Sequence, residues 1–228
     1  MIKAQKEIRI LYEDGDIIVA EKPVGIPSQP DPSGDPDMTV LLSAQTGTEI
    51  YAVHRLDRTT GGVTVYAKTA EAAAFLSRGI ASGDFKKEYL AVVEGEPSPP
   101  SGEMRDLLFH DKRKNRSFAV KRKRAGVKEA VLTYRVSAVR DGKSLVAVRL
   151  LTGRTHQVRV QMASRRHPLC GDGKYGSHDN GCHAALYAAS LAFTAPSGKA
   201  LRFTALPPRD TYPWSLFDSE GLFAAYTE

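Results

Sequence analysis

The sequence predicts an α+β fold, with a mixed, largely antiparallel β-sheet and flanking helices. Segments that alternate apolar and polar residues are joined by short turn signals typical of hairpins, namely Asp14-Gly15, Asp141-Gly142 and Pro196–Lys199. Helical patterns occur singly between these segments, and not after every strand as a doubly wound parallel sheet requires. With 228 residues and 42% hydrophobic content, the chain is large enough for one elaborated domain, and we predict a single domain over residues 1–228.

Individual elements follow from apolar periodicity and from the residues that start or stop helices. Thr39 is expected to cap a short helix, and Thr69 to cap a second, Ala-rich helix that ends at Gly83. Val158 and Met162 share one face of a third helix. The predicted strands are residues 8–12, 16–21, 63–67, 87–93, 130–136, 144–150, 186–193 and 200–205.

Composition and motif content argue against several classes of protein. No apolar run approaches the length of a membrane span, and residues 1–7 lack the apolar stretch of a secretory signal. The two cysteines, Cys170 and Cys182, are too few for a disulfide framework, so we expect free thiols in a soluble, cytoplasmic protein. No glycine-rich phosphate-binding motif follows a predicted strand, so we expect no nucleotide cofactor.

Positive charge is concentrated in one segment, residues 112–128. The whole chain carries 32 Lys and Arg against 26 Asp and Glu, a net charge of +6, whereas this segment contains nine cations and no carboxylate. Phe118 separates its two basic runs. Such a field suits a polyanion, and the interleaved arginines and aromatic residue favour nucleic acid. A solvated loop or hairpin whose lysines only confer solubility is the alternative.

Asp57 stands out as a candidate for chemistry. It lies between Arg55 and Arg58, in the segment that leads into the strand at residues 63–67. Flanking cations hold a carboxylate ionised, and a turn at a strand edge can present it to a ligand. A surface ion pair is the competing interpretation, because structural ion pairs perturb carboxylates in the same way.

Three separated motifs point to a family when they are taken together in their order: His54–Gly62, Lys87–Tyr89, and Gly153–Arg159 with His167–Gly176. They resemble the motifs of RNA pseudouridine synthases of the RluA branch, and Lys22-Pro23-Val24-Gly25 fits the start of that family. The resemblance implies a catalytic domain with a central RNA-binding cleft, without the S4-type domain that many relatives carry. It also implies isomerisation of uridine to pseudouridine in ribosomal or transfer RNA, without metal or cofactor. We expect a monomer.

The resemblance assigns three catalytic residues. Asp57 would be the nucleophile that forms a covalent intermediate, which splits one difficult step into easier ones. Arg154 would pair with that carboxylate and keep it ionised. Tyr89 would stack on the target base, and its hydroxyl is suited to move a proton.

It also assigns residues that bind the substrate. Arg55 would occupy the gap left by a flipped-out uridine, Val158 would line the base pocket, and Thr60 would contact the substrate. Three positions depart from the family pattern. Gly61 stands where a serine is usual, and Gln161 and Arg166 stand where His and Gly are more frequent.

Three other interpretations are weighed against this one. Zinc is suggested by two His/Cys pairs that lie close in sequence, His167 with Cys170 and Cys182 with His183, and by His178 nearby. Adjacent residues such as Cys182 and His183 rarely bind one tetrahedral ion. A serine hydrolase is disfavoured because no serine has the context of a nucleophile. A non-catalytic RNA-binding protein of the same fold is the remaining alternative, but it would have no use for a carboxylate that repels phosphate.

Overall fold

The computed structural model describes residues 7–218 and 220–222, so most of the N-terminal segment tested for a secretory signal lies outside the described residues. The chain divides into two compact units. The first comprises the residues up to Lys86 together with Ala188–Ala205, and the second comprises Lys87–Tyr187 together with the residues from Leu206 onward. A single domain over residues 1–228 stays a prediction.

The fold class is confirmed as α+β with a mixed, mostly antiparallel sheet and few helices. The strands are β1 Arg9–Glu13, β2 Ile17–Lys22, β3 Tyr51–Ala52, β4 Gly61–Ala67, β5 Lys86–Glu94, β6 Ser101–Asp111, β7 Arg116–Val120, β8 Val127–Arg140, β9 Lys143–Leu150, β10 Leu186–Thr194 and β11 Ala200–Thr204. The helices are α1 Met38–Thr46, α2 Ala70–Ser82 and α3 Gln157–Ser164, with short 3₁₀ turns at Gly173–Tyr175 and Trp214–Leu216. The central RNA-binding cleft stays a prediction.

In the first unit, strands lie in the order β1, β2, β4 and β10, with β11 paired to β10 and β3 to β4. β1 and β2 form the predicted hairpin, whose turn is closed by Asp14: its carboxylate accepts the amides of Asp16 and Ile17, each at 2.8 Å. Every residue of β4 is buried, and neighbouring strands cover both of its edges. Tyr66 of β4 belongs to a core cluster with Ile18 of β2 and with Met38 and Leu42 of α1.

Gly62 in β4 is required by a close backbone approach. Its φ is +115°, and a Cβ built on it would lie 2.2 Å from the carbonyl oxygen of Ala188 in β10. No side chain fits there, because the obstructing atom belongs to the backbone of a neighbouring strand.

In the second unit, strands lie in the order β5, β9, β8, β6 and β7, and each adjacent pair is antiparallel. The predicted turn between β8 and β9 is confirmed, with Asp141 at φ 50° and Gly142 at φ 68°. Two positive φ values match the type I′ turn that joins strands with the natural twist. Helix α3 packs on this sheet through Val160, which contacts Leu108 and Ala130.

The helix caps are partly as predicted. Thr69 caps α2, since its side chain accepts the amide of Ala72 at 3.1 Å, and Gly83 ends the helix in the left-handed conformation. The prediction that Thr39 caps α1 is wrong. Asp37 is the cap, and its carboxylate accepts the amide of Thr39 at 2.8 Å. Both residue types cap helices well, so the sequence pattern alone does not separate them.

Strands β6 and β7 were not predicted. The first residues of the basic segment, 112–115, form the turn of their hairpin, in which the carboxylate of Asp111 accepts the amides of Arg113 and Lys114. β7 is the edge strand at the end of this unit's strand order, and charged side chains are common on edge strands. Within the described residues, no helix is long and apolar enough to cross a membrane.

Candidate active site

Asp57 occupies the first position of a tight turn in the first unit. Its carbonyl oxygen accepts the amide of Thr60 at 2.9 Å, and its side chain is partly exposed. The preceding residue, Leu56, is buried at 4% exposure. The backbone of Asp57 is therefore fixed on both sides, by the buried side chain of Leu56 before it and by the turn after it.

Ser28 fixes the residue that precedes Asp57. Its hydroxyl donates to the carbonyl oxygen of Leu56 and accepts the amide of the same residue, both at 3.0 Å. Ser28 is itself buried at 3% exposure. A reciprocal pair of this kind satisfies both backbone groups of a buried residue, so it determines where the turn begins.

Lys22, at the end of β2, supports the turn from below. The side chain is buried at 1% exposure, and its Nζ donates to the carbonyl oxygens of Pro23 at 2.9 Å, Ile26 at 2.6 Å and Arg58 at 3.3 Å. Burial lowers the pKa of Lys22 to about 7, and the charge of Asp57 opposes that shift. Three carbonyl oxygens require three N–H donors, which only the ammonium form provides.

Replacing Lys22 with methionine is expected to lower the free energy of unfolding by about 3 kcal/mol, because three carbonyl oxygens lose their donor. Denaturant unfolding measures this change. The matched control is Lys199→Met, which removes an exposed lysine of the same unit and is expected to change stability by less than about 0.5 kcal/mol.

The wild type and Lys22→Met also test the lowered pKa of Lys22. Between about pH 7 and 10.5 the unfolded chain binds a proton at Lys22 that the folded chain does not. The free energy of unfolding of the wild type should therefore rise with pH across that window, relative to Lys22→Met, by at most about 1.4 kcal/mol per pH unit. A difference that does not vary with pH would show that the pKa of Lys22 is not lowered.

Arg58 ties the long loop at residues 23–37 to the same turn. Its Nε donates to the carbonyl oxygen of Gly25 at 2.8 Å, and its guanidinium also binds Ser33 and Asp35. The amide of Gly25 returns a bond to the carbonyl oxygen of Arg58 at 2.8 Å. The ion pair of Arg58 with Asp35 is exposed.

The other predicted residues of this segment differ in exposure. Arg55 is exposed. Thr60 is buried at 2% exposure, and its hydroxyl has no hydrogen-bond partner among the described residues. His54 packs edge-on against Phe85, and its Nε2 accepts the amide of Val65 at 3.2 Å, which gives this histidine a structural role.

The second unit contains Tyr89, Arg154 and Val158. Tyr89 lies in β5, opposite Val148 of β9, and is buried at 7% exposure. Its neighbour Glu88 is buried and forms an ion pair with Arg149 at 2.7 Å. Val158 is buried at 3% exposure in the first turn of α3.

Arg154 lies on the loop between β9 and α3, where it is held on two sides. Its Nε donates to the carbonyl oxygen of Glu129 at 2.8 Å, and its amide donates to Oε1 of Gln157 at 3.0 Å. The same Oε1 accepts the hydroxyl of Thr152, while Nε2 of Gln157 donates to the carbonyl oxygen of Val131. Gln157 therefore fastens this loop to β8.

The structure shows what Gln161 binds, and it shows why glycine is frequent at the position of Arg166. Gln161 is fully buried, and its Nε2 donates to the carboxylate of Asp106 at 2.7 Å and to the carbonyl oxygen of Met104, which joins α3 to β6. Arg166 has φ 68°, a conformation in which glycine is less strained. Gly61 is the first residue of β4.

The described residues contain no group of three or more His, Cys, Asp or Glu side chains that could hold a metal ion. Both cysteines are free, as predicted. Burial raises the pKa of Cys170 to about 12 and that of Cys182 to about 11, so both thiols are protonated at neutral pH.

Comparison with known proteins places the chain in one family. Residues 16–164 match the family model described as RNA pseudouridylate synthase. The chain is 36% identical to "Ribosomal large subunit pseudouridine synthase D" of Zymomonas mobilis, over 89% of this chain and 70% of that protein. It is 35% identical to the protein of the same name from Vibrio cholerae, over 92% and 70%. It is also 36% identical to "Uncharacterized RNA pseudouridine synthase YhcT" of Bacillus subtilis, over 75% and 58%.

Solved structures show the same fold. "Human RNA Pseudouridylate Synthase Domain Containing 1" aligns with a TM-score of 0.78 and 20% identity, over 99% of this chain and 96% of that one. "Human RNA Pseudouridylate Synthase Domain Containing 4" aligns with a TM-score of 0.72 and 23% identity, over 88% and 89%. The family match and the relatives named above confirm the resemblance to the RluA branch. The chain belongs to the RNA pseudouridylate synthase family and is an isomerase that converts uridine in RNA to pseudouridine.

Proposed function

We propose that the chain modifies uridine in large-subunit ribosomal RNA, with Asp57 as the nucleophile. The observation that carries this proposal is the partly exposed carboxylate on a turn that buried Lys22 and Ser28 hold in place. A nucleophile needs both exposure to the substrate and a fixed position. The RNA class follows from the relatives named for the large ribosomal subunit, and transfer RNA is the other outcome of the test.

The reaction needs no co-reactant. The bond between C1′ of ribose and N1 of uracil breaks, a bond between C1′ and C5 forms, and the proton on C5 is replaced by one on N1. Asp57 promotes the first step by attack on C1′, by attack on the base, or by removal of a sugar proton. A covalent or glycal intermediate then survives only where water is excluded.

Tyr89 and Arg154 are proposed to complete the chemistry. The ring of Tyr89 offers a face for stacking on uracil, and its hydroxyl is suited to transfer the C5 proton. Arg154 supplies a permanent positive charge that favours the ionised form of a carboxylate. The anchoring of its Nε to β8 supports a role that depends on position.

Three further residues are proposed to bind the substrate. The exposed planar cation of Arg55 suits the gap that a flipped-out uridine leaves in an RNA stack. The hydroxyl of Thr60 is buried without a partner among the described residues, and such a group is stabilised when a ligand supplies one. Val158 is proposed to line the base pocket.

The β6–β7 hairpin and the segment after it are proposed to bind phosphate. Eight of the nine cations of residues 112–128 are exposed, and none of these eight forms an ion pair with a carboxylate among the described residues. Arg124 lies over the ring of Phe109 at 5.1 Å. Unpaired cations on an ordered hairpin attract a polyanion more than cations that carboxylates neutralise.

Replacing Lys112, Arg113 and Lys114 together with alanine should weaken RNA binding and make it less dependent on salt. Each lost phosphate contact reduces the magnitude of the slope of log K against log salt by about 0.7 to 0.9, so three contacts predict a change of about 2 to 3. Filter binding or fluorescence titration over a range of salt measures the slope. The control Arg78→Ala/Lys199→Ala removes exposed cations outside this segment and should leave the slope unchanged.

Base-resolution pseudouridine mapping of total RNA tests the proposed substrate. RNA from cells that lack the protein is compared with RNA from the same cells complemented with it. Loss and restoration of sites in large-subunit ribosomal RNA supports the proposal. Sites confined to transfer RNA, or no dependent site at all, would overturn the proposed substrate.

A further inference from the structure

The hydroxyl of Tyr175 joins three parts of the second unit. Tyr175 lies in the 3₁₀ turn Gly173–Tyr175 and is buried at 7% exposure. Its hydroxyl accepts the amide of Ser117 at 2.8 Å, donates to the carbonyl oxygen of Ser117 at 3.2 Å, and lies 2.9 Å from Nδ1 of His156. A phenol has one proton and two lone pairs, so all three contacts are satisfied when His156 carries its proton on Nδ1.

Ser117 connects this hydroxyl to the basic hairpin and to the loop that carries Arg154. Ser117 lies in β7, directly after the basic turn. Its own hydroxyl donates to the carbonyl oxygen of Thr155 at 2.6 Å. The hairpin is therefore bonded to Thr155, which follows Arg154, through the side chain of Ser117, and to His156 through Tyr175.

The loop needs this support because its backbone is strained. His156 has φ 56°, the left-handed region, which costs a non-glycine residue about 1–2 kcal/mol. Such a conformation persists only where the surrounding contacts determine it. Gln157 holds the loop on the β8 side, and His156 meets Tyr175 on the hairpin side.

The ring of Tyr175 is placed by contacts that do not involve its hydroxyl. The guanidinium groups of Arg159 and Arg116 lie 5.1 Å and 5.2 Å from the ring centre. Arg159 is itself held by a buried bidentate pair with Asp172, at 2.7 Å and 2.8 Å. Removal of the hydroxyl alone should therefore leave the ring in position.

We propose that Tyr175 is a positioning residue whose hydroxyl couples the basic β6–β7 hairpin to the strained loop that carries Arg154. When RNA phosphates hold the hairpin, the bonds through Ser117 and His156 hold the backbone of the loop in one conformation. This inference rests on the proposed roles of the hairpin and of Arg154. It assigns to Tyr175 an effect on the reaction step and not on RNA affinity.

The test is Tyr175→Phe, with Tyr134→Phe as the matched control. Tyr134 is also buried at 7% exposure, and its hydroxyl donates one hydrogen bond, to the carbonyl oxygen of Pro99 at 2.8 Å. Single-turnover pseudouridine formation at saturating RNA should be at least about tenfold slower in Tyr175→Phe, with Kd for RNA within about twofold of wild type. Tyr134→Phe should match wild type in both.

Two further measurements separate the coupling from a general loss of stability. Ser117→Ala should also slow the reaction, and the double variant should be less impaired than the product of the two single effects, because both break one junction. Hydrogen exchange of the amides of residues 154–158, measured without RNA, should be faster in Tyr175→Phe and unchanged in Tyr134→Phe.

The outcomes distinguish this inference from the proposed function. An active wild type with an unimpaired Tyr175→Phe overturns the inference and leaves the proposed function intact. A wild type that is inactive on large-subunit RNA overturns the proposed substrate. Hydrogen exchange then decides the coupling by itself, and equal exchange in the two variants overturns it.

Discussion

Asp57→Asn is expected to abolish pseudouridine formation, with a loss of at least about 10⁴-fold in the single-turnover rate constant. Asparagine has nearly the same shape and can keep the turn, in which the backbone of Asp57 accepts the amide of Thr60. It lacks the negative charge on which the proposed role of Asp57 depends. If Asp57 faces the RNA as proposed, removal of its negative charge should leave Kd for RNA unchanged or lower.

Asp35→Asn is the control for this charge. Asp35 is an exposed carboxylate in the same unit that pairs with the side chain of Arg58. Its loss changes the net charge equally and leaves in place the backbone bond from Thr60 to Asp57 that closes the turn. We expect its rate constant to lie within about threefold of wild type. Residual activity of Asp57→Asn near that of Asp35→Asn would show that Asp57 is not the nucleophile.

Gly62→Ala is expected to have the largest effect on stability, about 4 kcal/mol or more, which is enough to prevent folding. The added Cβ would lie 2.2 Å from the carbonyl oxygen and 2.8 Å from the carbonyl carbon of Ala188. Both atoms belong to the backbone of β10, so the contact is not relieved by a rotamer change. Thermal or denaturant unfolding measures the loss, and the yield of soluble protein reports it if the variant does not fold.

Gly198→Ala separates this clash from backbone strain. Gly198 also has a positive φ, 81°, but a Cβ there meets nothing within 4 Å. The control is expected to lose only about 1 kcal/mol, the cost of a left-handed alanine. Equal losses in the two variants would mean that strain explains both and that the approach of β4 to β10 is not limiting.

Elements with strong local signals were predictable. Thr69 and Gly83 bound α2 as expected, because a capping side chain and a left-handed glycine act on neighbouring residues. The cap of α1 was assigned to Thr39, two residues late, because Asp37 is an equally good cap. β6 and β7 were missed because neither shows a sustained alternation of apolar and polar residues: Leu107, Leu108 and Phe109 are consecutive in β6, and β7 has only five residues.

The identity of the motif residues was predictable, but the contacts that support them were not. Asp57, Tyr89 and Arg154 stand within recognisable segments of the sequence. Nothing in the sequence indicates that Ser28 binds Leu56, or that Lys22 lies at 1% exposure beneath the same turn. The sequence marks Lys22 only by its position, at the end of an apolar strand and directly before a proline.

By itself the sequence determined the fold class, the family and the residues proposed for chemistry, because periodicity, turn signals and motif order are properties of neighbouring residues. Only the tertiary structure decided which residues hold those groups in place. Ser28 and Leu56 are separated by 28 positions, and Ser117 and Tyr175 by 58. Hydrogen bonds over such separations depend on how strands and loops pack, and they leave no periodic pattern in the chain.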